Sequence, residues 1–303
     1  MSQRAVSNIA ASVRARLLNE ARASGESFDQ VLQYFAIERF LYRLSRTEWS
    51  ERLIVKGAIM LRAWGSSLGR STRDIDFLGR VDNSPEALVE VVHECLAVEY
   101  LDDGIVFDRA IEATAINAER DYPGVRVVLR GNLDGATFKL QLDVAIDDAV
   151  VPDPAWIDYP TLLDLDAPRI LAYQPTTALA EKYETIVRRD VENSRLRDYF
   201  DIWLILRPRS ILGTELASAI AATFAHRGTP LSALVPPGLT EAFYESPEAR
   251  SRWRSFLMTK RVDAPDDLAV VCATITAFIM PPAIAAASGT PFAPQWNPST
   301  GWS

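Results

Sequence analysis

At 303 residues, 48% hydrophobic and 24% charged, the chain is long enough for a large core or two domains and needs no disulfide framework to fold. Its net charge of −8, from 32 basic against 40 acidic residues, excludes a protein that coats nucleic acid non-specifically. Cys95 and Cys272 both lie in apolar, helical-looking runs and the first five residues lack a signal core, so buried free thiols and a cytoplasmic location are expected.

Apolar residues at three- and four-residue spacing predict amphipathic helices over residues 8–24 and 28–46, the second carrying Val31, Tyr34, Phe35, Ile37, Phe40, Leu41 and Leu44. Leu53, Ile54 and Val55 read as a short buried strand and Lys56-Gly57 as a turn. Residues 58–64 follow as a helix whose N-terminal amides lie close to that turn. Gly65, Ser66, Ser67 and Gly69 break the pattern before an alternating strand, Asp74-Ile75-Asp76-Phe77. Pro85 after Ser84 starts a helix running to about residue 98.

Strands are expected over 104–114, 125–130 and 137–146, with Asn132, Asp134 and Gly135 supplying the hairpin turn between the last two. Beyond Asp153-Pro154 and Tyr159-Pro160 the composition turns helical, apart from a short strand at 169–173. The fold class expected is therefore α/β (α+β): N-terminal helices and a mixed sheet over 1–167, then a mostly helical domain over 168–303. In the second domain Thr176 or Thr177 caps a helix to about residue 191, and 194–206 forms the next. The uncharged run 268–287 is cut by Pro281-Pro282, leaving a piece well short of the roughly 20 residues a membrane span needs, so it reads as a buried helix with no membrane partner. The tail, with Pro291, Pro294 and Pro298, is expected to be irregular.

Two constellations carry chemistry. Strand alternation puts the carboxylates of Asp74 and Asp76 on one face with Cα atoms about 6 to 7 Å apart, a spacing at which they can share a divalent cation. Asp143 lies on the polar face of a later strand, opposite Leu142 and Val144. An antiparallel neighbour only about 4.8 Å away would bring it to the pair. Packed carboxylates repel, and a bound cation offsets that repulsion. The second constellation is Lys182, at the edge of a helix stripe formed by Leu179, Tyr183, Ile186 and Val187, together with Asp198 and Asp201 on a helix that is apolar nearly all round. Buried charge demands a partner, and Lys182, Arg195 and Arg197 are the local candidates. A structural salt-bridge network and direct contact with substrate are equally consistent with this pattern. Arg14, Arg16, Arg22, Arg188 and Arg189 are further cations able to meet phosphates, or else parts of solvated helix faces. His93 and His226 stand apart from other metal-ligating side chains, and the loop from Gly65 to Ser71 lacks the ending a P-loop requires.

The residues that carry these patterns resemble the AbiEii/AbiGii toxin family of bacterial nucleotidyltransferases, which have a DNA-polymerase-β-like core. The resemblance runs through Ile37-Glu38-Arg39-Phe40, Lys56-Gly57, Thr72-Arg73-Asp74-Ile75-Asp76, Leu142-Asp143-Val144, Tyr159-Pro160-Thr161-Leu162-Leu163-Asp164, Ala180-Glu181-Lys182 and Arg197-Asp198-Tyr199-Phe200-Asp201-Ile202-Trp203. It implies magnesium-dependent transfer of a nucleoside monophosphate from a nucleoside triphosphate (NTP) to an acceptor. Related MenT toxins use the tRNA 3′ end. It also implies a toxin–antitoxin or phage-exclusion setting with an AbiEi-like antitoxin encoded nearby. By motif position Asp74 and Asp76, with Asp143, are the metal-binding and catalytic carboxylates, and Lys182 is the catalytic lysine. Lys56, Gly57, Ser66, Ser67, Thr72, Arg73, Lys182, Asp198 and Asp201 are the expected nucleotide-binding residues. Ala58 departs from the motif, which usually has Gly or Ser there. Phosphate would then be gripped by amides around Gly57 or by Ser66 and Ser67. A small-molecule nucleotidyltransferase of the antibiotic-modifying kind and a non-catalytic nucleotide-binding module are the alternatives.

Overall fold

The computed structural model describes residues 8–65, 72–116, 124–260 and 262–303. Its first helices start where the sequence offers side-chain caps. Asn8 accepts from the Ala11 N–H to open α1 (Ile9–Ser24), and Ser27 accepts from Gln30 to open α2 (Phe28–Leu44). Next come β1 (Leu53–Lys56), a four-residue α3 (Met60–Ala63), β2 (Asp74–Gly79), and α4 (Pro85–Leu96), which has Ser84 as its cap and Pro85 in its first turn. Four strands follow: β3 (Val106–Phe107), β4 (Glu112–Ile116), β5 (Gly124–Leu133) and β6 (Ala136–Ala145). Then come β7 (Ala155–Asp158), β8 (Arg169–Ala172), α5 (Pro175–Arg189), α6 (Leu196–Leu206), β9 (Ile211–Leu212) and α7 (Gly213–Arg227). The chain closes with α8 (Glu241–Tyr244), α9 (Pro247–Lys260), α10 (Leu268–Ser288), β10 (Gln295–Asn297) and β11 (Gly301–Trp302).

The chain divides into two compact units that interleave along the sequence. One comprises Met1–Ile59, Thr72–Asp147 and Ala155–Ala172, and the other Met60–Ser71, Asp148–Pro154 and Tyr173–Ser303. Among the described residues the first unit holds an eight-stranded mixed sheet, in the order β3-β5-β6-β2-β1-β8-β7 with β4 also on β5. The pairs β2/β6 and β1/β8 are parallel and the others antiparallel. Ile75, Phe77, Val125, Val127, Leu142 and Val144 are all buried. They alternate with the polar side chains of the same strands, and α2 and α4 pack on the sheet.

Some expectations need correcting. The strand expected over 104–114 is two short ones: the Asp108 N–H still reaches the Arg130 carbonyl of β5 at 2.9 Å, and the chain then bends at the exposed Arg109 before β4. The helix expected over 58–64 shrinks to the four residues of α3, with Gly57 at φ +78 delaying its start. The edge strand β7 was not anticipated: it pairs only with β8 and its side chains alternate between half-buried and exposed, a weak signal over four residues. In α5, Pro175 takes the first turn and neither Thr176 nor Thr177 caps it; the Thr177 hydroxyl donates to the Val151 carbonyl instead.

In the second unit α5 packs against α6 and α7, and α10 against both α6 and α7. The tail is not irregular: β10 pairs with β9 and β11. Nor do Pro281 and Pro282 end α10, which continues for 21 residues and is long and apolar enough to cross a membrane by length and composition. Pro282 lacks the N–H that would bond the carbonyl of Phe278 four residues earlier, and the Trp302 indole N–H supplies that bond from β11 at 2.9 Å. Val271, Cys272, Ile275, Phe278 and Ile279 are buried within this unit, so α10 serves it as a core helix.

Candidate active site

Four charged residues lie in one row across the sheet of the first unit. Lys56 on β1 is opposite Asp76 on β2, Asp76 is in register with Asp143 on β6, and Asp143 is opposite Arg126 on β5. Asp74 lies two residues along β2 on the same face, beside Gln141. The three carboxylates anticipated from sequence therefore share one face of neighbouring strands. The strands that join them are parallel and not the antiparallel pair expected.

Asp76 explains the glycine before it in the chain. Gly57, just after β1, has φ +78, and a Cβ at that position would collide with the Asp76 carboxylate. The site thus needs Gly57 twice, for its left-handed backbone and for the space the carboxylate occupies. The Lys56-Gly57 motif and the acidic strand form one construction.

Sequence reasoning left the carboxylates without a protein counter-ion, and the structure corrects this. Arg126 grips Asp143 with two charge-assisted bonds of 2.8 Å, from Nε and from Nη2, and Gln141 donates to the same carboxylate at 3.2 Å. The bond to Asp143 holds the Arg126 guanidinium above its ordinary pKa against the cost of burial, and the charges of Asp143, Asp74 and Asp76 add to the effect. All three carboxylates therefore act on one cation of the protein itself. Among the described residues, no three histidine, cysteine or carboxylate side chains converge tightly enough to hold a metal ion by themselves. The donors still suit magnesium, which takes one or two carboxylates and completes its shell with water and substrate phosphate. Asp74, Asp76 and Asp143 are the carboxylates of this face that could supply such oxygens.

Around this core, the Thr72 hydroxyl donates to the Asp74 carbonyl at 3.2 Å and Arg73 is exposed at the start of the strand. Gln33 of α2 ties the strand ends together by donating to the carbonyls of Arg73 and Lys139. Ser66 and Ser67 lie outside the described residues. Other resemblance-bearing segments prove to be joints of the fold: the buried Glu38 accepts from the Leu162 N–H at 2.7 Å, and the buried Arg39 pairs with Glu38 and donates to the Asp166 carbonyl.

The second unit contains the other constellation. Lys182 Nζ is 2.7 Å from Asp201 and 3.4 Å from Asp198, and Arg195 Nε is 3.1 Å from Asp198. As α6 predicted, Asp198 and Asp201 are buried, and Lys182 and Arg195 are partners drawn from the residues anticipated. A second network, which the sequence did not single out, surrounds Arg227. Asp148, Glu181 and Glu184 all lie within 3.3 Å of its guanidinium. Burial pushes the pKa of this guanidinium down, but the surrounding carboxylates outweigh it and hold it above the ordinary value.

Known proteins resemble this chain in family and in fold. The family model for the AbiEii nucleotidyltransferase toxin of type IV toxin–antitoxin systems matches residues 39–285. The structure is similar to MenT4, a nucleotidyltransferase toxin from Mycobacterium tuberculosis H37Rv, at a TM-score of 0.50 and 18% identity, covering 92% of this chain and 89% of that one. JHP933 from Helicobacter pylori aligns at a TM-score of 0.46 and 14% identity, over 94% of this chain and 97% of that one. Among curated proteins no sequence relative is found. The matched span reaches from α2 to α10 and takes in both constellations, and on it the chain belongs to the AbiEii family of nucleotidyltransferase toxins of type IV toxin–antitoxin systems.

Proposed function

We propose that this nucleotidyltransferase moves a nucleoside monophosphate from an NTP to a hydroxyl of an RNA acceptor, in the manner of the tRNA 3′ end, in the cytoplasm and under the control of a cognate antitoxin. The observation that carries the reading is the placement of Asp74, Asp76 and Asp143 on one sheet face, with Asp76 and Asp143 in register. Asp74 and Asp76 would hold magnesium, whose charge, when bound, stabilises the crowded phosphate oxygens.

The acceptor oxygen bonds to the α-phosphorus as the bond to the bridging β-phosphate oxygen breaks, and pyrophosphate leaves. Asp143 completes the carboxylate set and takes up the hydroxyl proton. Arg126 exchanges Asp143 for a phosphate oxygen as the nucleotide arrives, so that Asp143 is released when it is needed. Lys56 lies across from Asp76 and offers the row a second cation. Backbone amides around Gly57, with Thr72 and Arg73, belong to the nucleotide-binding set. The family motif supports Lys182 as the cation for the terminal phosphates, and Asp198 and Asp201 join the nucleotide-binding set by holding its ammonium group.

The test is incubation with each α-labelled NTP, magnesium and total cellular RNA, with Asp76→Ala alongside. Labelled RNA from the wild type and none from the variant is expected, with both proteins melting at similar temperatures. Equal labelling by the variant overturns the assignment. Labelling of a small molecule with none of RNA replaces the acceptor, and tight NTP binding with no product at all favours a binding module.

A further inference from the structure

The helical unit contains a basic hollow that the transfer chemistry leaves unused. It opens between the start of α6 and one face of α9, encloses about 610 Å³, and takes Arg195, Arg197, Arg252, Ser251, Ser255 and Phe256 into its lining. That volume is of ligand size. Lys182, Asp198 and Asp201 do not line it. In a chain of net charge −8, three guanidinium groups border this one opening, one of them paired with Asp198.

The polar groups are arranged for a polyanion with planar parts. Arg195 is set in place by Asp198, at 3.1 Å from Nε, while Arg197, Arg252, Ser251 and Ser255 are exposed. Guanidinium and hydroxyl donors match phosphodiester oxygens. Phe256 is half-buried, stacked on the fully buried Trp253 with centroids 5.6 Å apart and leaning on Phe200 at 5.5 Å, so a rigid ring edge forms part of the wall. Arg250 and Arg254 of α9 stand outside this lining, and Arg250 pairs with Glu245 at 3.2 Å. Arg252 also borders a second hollow of about 390 Å³ that includes Glu192 and Glu248.

We propose that this hollow seats a single-stranded RNA segment, with phosphates on Arg195, Arg197 and Arg252 and a base against Phe256. Its role, docking the acceptor, rests on the transfer reading above, but its binding does not.

The experiment is fluorescence anisotropy of a labelled, mixed-sequence single-stranded RNA dodecamer with the full chain, in the absence of NTP and metal. The double variant Arg197→Gln/Arg252→Gln removes two exposed charges. It should bind at least about 10-fold more weakly at low salt and lower the slope of log affinity against log salt by about 1.4. Phe256→Leu should weaken binding roughly 5-fold without changing the slope. Unchanged affinity and slope in the double variant overturn the proposal. So does displacement of the RNA by tripolyphosphate at equal phosphate concentration, which assigns the hollow to small anions. Loss of RNA binding in the double variant, with no labelled product from the wild type, leaves the docking site standing and fells the transfer reading. Transfer that proceeds beside unchanged binding in the double variant fells the docking site alone.

Discussion

Arg126 carries a positive charge on which Asp74, Asp76 and Asp143 all act, and under the proposed mechanism a bound cation would compete with it for Asp143. The Arg126–Asp143 pair is partly solvent-exposed, at 38% and 21%, which keeps its net worth to roughly 1 kcal/mol. Arg126→Gln should therefore raise manganese affinity in the absence of nucleotide by about 5-fold in calorimetric titration and, by removing a phosphate contact, raise the KM for NTP. Unchanged metal affinity would show that Arg126 and the metal do not compete. Gly57→Ala tests the neighbouring contact: the new methyl group must displace the Asp76 carboxylate from a backbone already at φ +78. A stability loss of about 1 to 3 kcal/mol in urea denaturation is expected, together with loss of nucleotidyl transfer. The acidic pair and Asp143 were legible from alternation alone, since period two fixes which side chains share a face. Arg126 was legible in principle. The hairpin turn at Asp134 and Gly135, both with positive φ, sets equal steps back along each strand, and counting them places Arg126 opposite Asp143. The collision at Gly57 was not legible, because it depends on the antiparallel pairing of β1 with β2.

Elements that misled the sequence reading did so where a distant group supplied what the local chain lacked. Two prolines stop an isolated helix, but α10 passes through them because Trp302 donates to the carbonyl that Pro282 leaves open, and because Trp302 stacks on Phe278 with centroids 5.4 Å apart. Trp302→Phe keeps a ring and removes the donor, so it should cost about 1 to 2 kcal/mol in chemical denaturation. A variant as stable as wild type would assign the passage to packing alone. Arg227 of α7 acts similarly, joining α5 to the 148–154 segment through three carboxylates. Arg227→Met removes the cation that those three acids share, although Glu184 keeps Arg188 at 3.0 Å, and should destabilise by about 3 kcal/mol, read as a lower urea midpoint. Neither contact is written in a local pattern, as each joins residues more than 20 positions apart.

Across the whole molecule, burial acts on neutral acids as well as on charges. Desolvation pushes Cys95, Cys272 and Tyr183 up to about 12, from ordinary values of 9 for the thiols and 10 for the phenol. Each group is then neutral in the folded chain over a range where the unfolded chain has already lost its proton. The stability this contributes is complete below about pH 9 and is lost as pH rises from 9 to 12. Melting temperature should fall steadily across that window. Replacing Cys95 and Cys272 by Ala should flatten part of the fall, and an unaltered profile would refute the linkage. The α/β class and the helical C-terminal part were evident from composition and periodicity. The interleaving of the two units was not, because segments as short as 60–65 and 148–154 change unit without a change in local periodicity.

The row Lys56, Asp76, Asp143, Arg126 has a consequence for assembly of the sheet. The strands β2 and β6 are separated by more than 50 residues of chain and run parallel, so no tight turn aligns them. A slip of β2 by one residue against β6 would turn Asp74 and Asp76 into the apolar layer that Ile75 and Phe77 occupy and take Asp76 out of register with Asp143. The charges of this row thus also proofread strand alignment during folding. A chain that lost them would lose its guide to correct assembly along with its chemistry.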